Sequence, residues 1–233
     1  MSPSDFRNYL EENFQISFNH LPLLQEALTQ RNYLNEHPKE KGRDYQRLEF
    51  LGDAIMQATV TEYLFKRYPE WDEGQLTEMR ITMVQTKSFA HFASVIHLNE
   101  AIRLGKGEEM NGARERPSLL EDIWEAFIGA LYLDQGQAAV VSLLQQTVFA
   151  AIDENFFDQF IDFKSRLQEK LQAQGSVDID YTIENEIRNE DNSQLFEVSV
   201  AVDGKVLAHG SGQSIKDAEK AAAQKAYQDL TAK

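Results

Sequence analysis

The chain contains no cysteine, which removes disulfides, thiolate zinc sites and cysteine nucleophiles from consideration. It has no run of 18 or more apolar residues, and its start, MSPSDFRNYLEENF, lacks the basic and apolar regions of a signal peptide. A cytoplasmic protein without a membrane partner is therefore expected. Histidines are few and scattered, at His20, His37, His91, His97 and His209, and form no close pair with metal-ligand spacing. Basic residues are also short: the formal net charge is -15. Taken alone that balance argues against a nucleic-acid binder, because phosphate contacts need a basic footprint.

What is present is ordinary globular material, 42% hydrophobic and 26% charged over 233 residues, enough for a medium domain plus a small one. From Phe6 to about Phe160 apolar residues recur at helical spacing, as in Leu24, Ala27 and Leu28, in Leu51, Ile55 and Ala58, and in Phe89, Phe92 and Ala93. Residues 1–155 are expected to be all helical, with breaks at Asn35–Asp44, Tyr68–Gly74 and Gly105–Pro117. The pattern then changes. A short amphipathic helix (Phe163, Leu167, Leu171) precedes period-two alternation at Ile179, Tyr181 and Ile183 and again at Phe196, Val198, Val200 and Val202. A third strand fits Val206–His209. An alanine-rich helix follows from Ser214 to Leu230, with Ser214 and Asp217 close to a capping box. The expected fold is an all-α domain over 1–155 followed by a small α+β domain, α-β-β-β-α, over 162–231. The joint between them carries Phe156, Phe157, Phe160 and Phe163 and is not a polar, flexible linker.

The segment from Gln46 to Ile55 breaks three local rules at once. Glu49 and Asp53 are like charges four apart on one helix face. They sit among Phe50, Leu51, Ala54 and Ile55 in a helix expected to be mostly buried, where unpaired carboxylates are costly. Gly52 inside that helix costs about 1 kcal/mol against alanine. Violations of this kind concentrate at functional sites. A second helix is expected to open with the capping box Ser118-Leu119-Leu120-Glu121, and it places Asp122 and Glu125 three apart among Ile123, Trp124, Ala126, Phe127 and Ile128. Glu121 and Asp122 also fit a helix first turn, where acids complement the dipole; for Glu121 that reading weighs as much as the functional one. Glu125 is a turn further in. Four such carboxylates can meet across a core only around a cation, since they would otherwise protonate, and an all-oxygen donor set points to Mg²⁺ or Mn²⁺. Such an ion suits phosphate chemistry.

The segment Arg47-Leu48-Glu49-Phe50-Leu51-Gly52-Asp53-Ala54 resembles the signature of the ribonuclease III family. Residues Leu23–Arg31, Tyr68–Arg80, Leu104–Glu108 and Leu120–Asp134 resemble that family's other blocks in the same order. Residues 162–230 resemble the double-stranded-RNA-binding domain that follows it in bacterial enzymes. The resemblance implies a homodimeric, Mg²⁺-dependent endoribonuclease, with Mn²⁺ a plausible substitute. It would cut both strands of double-stranded RNA, leave short 3′ overhangs with 5′-phosphate and 3′-hydroxyl ends, and process ribosomal and other structured precursors. It matches Asp53 and Glu125 to catalytic residues and Glu49, Asp122 and Glu125 to metal ligands. Glu73 matches a further acid near the cleft, while Gln46 stands where the family often has Glu and Gln30 where His is usual. A non-cleaving RNA-binding scaffold is the rival, and an acidic metal protein acting on small phosphates is disfavoured by the tail domain.

In the tail, Lys216 and Lys220 lie four apart near the amino end of the last helix, where cations oppose the dipole but suit a phosphate. For an isolated helix a solvated lysine face is the preferred explanation; the resemblance reverses that preference in favour of RNA contact. It also matches Lys164, Gln168, Glu169 and Gln172 to a polar face that reads 2′-hydroxyls. Asn189–Asn192 replaces the family's Gly-Pro-x-His element and Ile215 a common Lys, so a weaker than average RNA surface is expected. Residues 162–233 hold 9 Lys and Arg against 13 Asp and Glu, so any basic face has to be local.

Overall fold

The computed structural model describes residues 1–173, 175, 177–188 and 194–231, apart from the Gln159 side chain. The chain divides into two compact units, Met1–Gln159 and Phe160–Lys233.

The first unit is helical: α1 Pro3–Phe14, α2 Leu21–Ala27, α3 Arg31–Glu36, α4 Gln46–Arg67, α5 Glu73–Met83, α6 Thr86–Val95, α7 Leu98–Ala101, α8 Lys106–Met110, α9 Pro117–Gln135, α10 Gln137–Gln146 and α11 Ala150–Asp153. Short 3₁₀ turns lie at Ala113–Glu115 and Phe156–Phe160. At its centre is α9. Ile123, Trp124, Ala126, Phe127, Ile128, Ala130 and Leu131 are all fully buried, so this helix is apolar around most of its circumference, as a core helix must be. Against it lie α4, through Leu48, Met56 and Val60, and α6, through Phe89, Phe92 and Ala93. Phe6 and Phe18 edge onto Phe127. The aromatic joint belongs partly to this core, with Phe156 and Phe157 packing on Phe92. The expected break at Gly105–Pro117 is only partial, since it contains α8 and a 3₁₀ turn.

The second unit runs α12 Phe163–Gln172, β1 Ile179–Arg188, β2 Gln194–Val202, β3 Lys205–Gly212 and α13 Ile215–Thr231. The sheet is antiparallel in the order β1-β2-β3, in register Tyr181↔Val200 and Val200↔Ala208, with irregularities after Ile183 and Val200. β1 and β3 are longer than expected from the alternation. Val200 and Ala208 meet Phe163 and Leu167 of α12 and Ala222, Ala223 and Ala226 of α13 in one small core. The alanines of α13 have a steric reason. A Cβ on Gly210 would stand 2.1 Å from the Ala222 nitrogen, so the helix rests directly on β3 and leaves room for nothing larger.

Candidate functional site

Helices α4 and α9 touch backbone to backbone. A Cβ on Gly52 would fall 1.7 Å from the carbonyl oxygen of Glu125, and one on Gly129 would fall 2.3 Å from that of Leu48. Two helices carrying larger residues there would be held apart by their side chains. Gly52 therefore costs helix propensity and gives close approach in return. The consequence is to bring Glu49 and Asp53 on α4 beside Asp122 and Glu125 on α9.

The four carboxylates repel one another. Glu125, half-buried, is pushed up to about 8, first by burial and then by the charges of Asp53, Glu121, Glu49 and Asp122. Glu49 is raised by burial and by Asp122, Asp44, Glu121 and Asp53. Asp122 is raised by burial, against a hydrogen bond from Tyr45 and the charge of Arg116, which lower it. Asp53 is exposed and faces Gln57, whose Nε2 lies 3.4 Å from Oδ1. The acids thus share one electrostatic site, although among the described residues no three His, Asp or Glu side chains are gathered tightly enough to hold an ion as they stand. Their donor chemistry fits a hard divalent cation: oxygen only, crowded negative charge, and no imidazole or thiolate competing.

Two neighbours were not assigned to the site from sequence. Tyr45 donates its hydroxyl to Asp122 Oδ2 at 2.8 Å. Glu121 is also raised by burial, against a side-chain hydrogen bond with Thr86 at the start of α6. Glu121 is therefore part of the same charged cluster, and no capping box forms at Ser118. α9 starts two residues earlier than that box would set it, with Pro117 at its first position and Arg116 as N-cap, because proline is preorganised for that place.

The expectation of a mostly buried α4 is corrected. Its inner face is buried, but Phe50 is 83% exposed, Phe65 is 71% exposed, and Ala54 and Ala58 also face outward. Beside Phe50 lies an open groove of about 640 Å³ lined by Leu23, Gln46, Arg47, Leu48, Leu51 and Leu133 among others. Gln46 thus borders this groove at the first position of α4. Glu73, at the start of α5, accepts a hydrogen bond from Thr77 and lines a separate cleft of about 430 Å³ with Phe65, Trp71 and Arg80. Gln30 is nearly buried, and its Oε1 has no partner.

In the second unit Gln168, Glu169 and Gln172 are exposed on α12. Lys164 is engaged internally. Its Nζ pairs with Glu219 Oε2 at 2.7 Å and stands 4.3 Å from the centre of the Tyr181 ring. On α13, Lys216 is exposed and Lys220 half-buried, one turn apart behind Ser214, whose Oγ accepts from the Asp217 N–H. Asn189–Asn192 lies outside the described residues. No helix among the described residues is long and apolar enough to cross a membrane.

Comparison with known proteins agrees with this two-part design. A family described as Ribonuclease-III-like matches residues 21–152, and the double-stranded RNA binding motif matches residues 163–230. Ribonuclease 3 of Leuconostoc mesenteroides is 70% identical over 230 residues, covering 99% of this chain and 98% of that protein. Ribonuclease 3 of Oenococcus oeni is 64% identical over 222 residues, covering 95% and 96%. Among solved structures, the nuclease domain of ribonuclease III from Campylobacter jejuni superposes with a TM-score of 0.55 at 35% identity, over 60% of this chain and 92% of that one. A second structure of that domain, at 38% identity and a TM-score of 0.53 over 59% of this chain and 92% of that one, is described by flexibility in a region involved in dimer formation. The chain belongs to the ribonuclease III family, as an endoribonuclease with a helical nuclease domain followed by a double-stranded-RNA-binding domain.

Proposed function

We propose that Glu49, Asp53, Asp122 and Glu125 form the divalent-metal centre with which this enzyme cleaves double-stranded RNA. The observation that carries the reading is the contact of Gly52 with the Glu125 main chain, which forces two carboxylate-bearing helices together where repulsion would otherwise part them. Glu49, Asp122 and Glu125 would hold the ion, and Asp53 and Glu125 would act at the reacting phosphate. Mg²⁺, or Mn²⁺ in its place, supplies charge neutralisation at the phosphoryl group and activation of water.

The protein's own groups prepare this site. Tyr45 donates a hydrogen bond to Asp122. Glu125 carries a proton near neutral pH in the absence of a cation and must release it to become a ligand, so metal binding and proton release are coupled. The low-dielectric wall of α9, with Trp124 and Phe127 fully buried, strengthens each charge interaction at the site.

RNA is held by the second domain. Lys216 and Lys220 at the amino end of α13 would meet phosphate, and the α12 face of Lys164, Gln168 and Glu169 would meet the minor groove. Lys164 does so in competition with Glu219. The exposed Phe50 and Leu133 beside one groove, with the exposed Phe65 further along α4, would be covered by a second copy, making a homodimer. We assign residues 1–155 to the nuclease domain and 162–231 to the RNA-binding domain of a cytoplasmic enzyme that processes ribosomal and other structured RNA precursors.

Incubating the purified protein with a perfect RNA duplex and Mg²⁺ and mapping both ends of the products tests this reading. Fragments with 5′-phosphates, 3′-hydroxyls and short 3′ overhangs are expected. A duplex bound but left intact would support the scaffold reading instead.

A further inference from the structure

Tyr45 is the one uncharged side chain seen to hydrogen-bond directly to Asp122 among the described residues, and its own position is firmly held. Its ring is buried, with the residue only 8% exposed. Its N–H donates to the Thr29 carbonyl at 3.0 Å, and its carbonyl accepts from the N–H groups of Leu48 at 2.9 Å and Glu49 at 3.0 Å. It is thus the N-cap residue of α4 and reaches across to Asp122 in the second turn of α9. A phenol fixed at its backbone and donating from its tip constrains the group it meets, because the hydroxyl is at the end of a rigid ring with two torsions. It gives one bond to one oxygen, Oδ2, and leaves the lone pairs of Oδ1 for a cation.

From this geometry we propose that Tyr45 is a positioning residue that sets the orientation in which the Asp122 carboxylate receives the divalent cation. The inference rests on the reading of the four carboxylates as the metal centre. Groups that hold a ligand from behind act in this way in metal sites generally, and their loss typically costs about 10–100-fold in metal affinity or activity. A tie that merely fastened α4 to α9 would instead show itself in stability, with the metal affinity of the folded protein unchanged.

The test counts bound Mn²⁺ by electron paramagnetic resonance in the wild type, Tyr45→Phe and Asp122→Asn, with thermal unfolding of each in chelator. Tyr45→Phe is expected to weaken Mn²⁺ binding by about tenfold or more and to raise the Mg²⁺ concentration needed for half-maximal cleavage, with kcat approaching the wild-type value once Mg²⁺ saturates. Wild-type Mn²⁺ affinity in folded Tyr45→Phe overturns the inference and leaves the metal centre standing. Equal Mn²⁺ binding by wild type and Asp122→Asn overturns the metal reading itself. Should loss of the hydroxyl unfold the domain, tyrosine labelled with ¹³C at Cζ decides in the wild type. The resonance displaced by Asp122→Asn identifies Tyr45, and it must also move when Mg²⁺ is added; a resonance that stays in place contradicts the proposal.

Discussion

Gly52 lies against the main-chain carbonyl of Glu125 so closely that a single added methyl carbon would overlap it, at 1.7 Å. Both partners of this contact are backbone, so no side-chain rotation relieves it. The position of the most strongly perturbed carboxylate is therefore set by the absence of a side chain on the facing helix.

Gly52→Ala should accordingly be harmful despite alanine's better helix propensity. Separating α4 from α9 is expected to destabilise the nuclease domain by about 1–3 kcal/mol, the usual range for overpacking, and to reduce cleavage more than RNA binding. Urea unfolding and duplex-cleavage rates check this. A variant as stable and active as the wild type would mean that the helices have slack at this point.

The perturbed acids give a pH dependence of definite sign. Glu125 titrates near 8 in the folded protein against 4.5 ordinarily, and Glu49, Glu121 and Asp122 are raised in the same direction. Across that window the folded state binds more protons than the unfolded one, so stability falls as pH rises from about 4.5 to about 8. In chelator, the melting temperature of the wild type should decline over this range more steeply than that of Glu125→Gln, and a divalent cation should reduce the difference. Parallel curves for the two proteins would contradict it.

How much of this was legible in the sequence varied with the distance along the chain over which each interaction acts. The two carboxylate pairs were visible because i, i+4 and i, i+3 spacing is a local property, and Gly52 was visible as an anomaly. Its reason was not, since that lies on a helix some seventy residues away. The Tyr45 bond to Asp122 spans 77 residues and the Lys164 pair with Glu219 spans 55, and no local pattern encodes either. Helical periodicity likewise marks Phe50 as apolar without telling whether the protein's own core or a second surface covers it. At Ser118 a genuine local signal was present and gave way to a stronger one, Pro117.

Phe50 offers a direct test of assembly. If the proposed homodimer uses this surface, replacing the exposed ring with Asp should shift the protein toward monomer in sedimentation velocity, because a charge would be desolvated in the covered apolar surface. An unchanged sedimentation coefficient would place the dimer contact elsewhere.

For the RNA-binding domain, Lys216→Ala combined with Lys220→Ala should weaken binding of all duplex sequences alike. It should also flatten the salt dependence, by roughly one unit of log–log slope for each phosphate that is no longer neutralised. Filter-binding titrations at several salt concentrations measure this. A loss confined to certain sequences would show that these lysines read something other than phosphate.

The most direct measurement of the central claim is duplex RNA binding in Ca²⁺ and cleavage in Mg²⁺ by Glu125→Gln. The substitution preserves shape and removes one ligand charge from the crowded site, so binding should stay near the wild-type level while cleavage is abolished. Cleavage at the wild-type rate would contradict the assignment of this carboxylate, and with it the metal centre between α4 and α9.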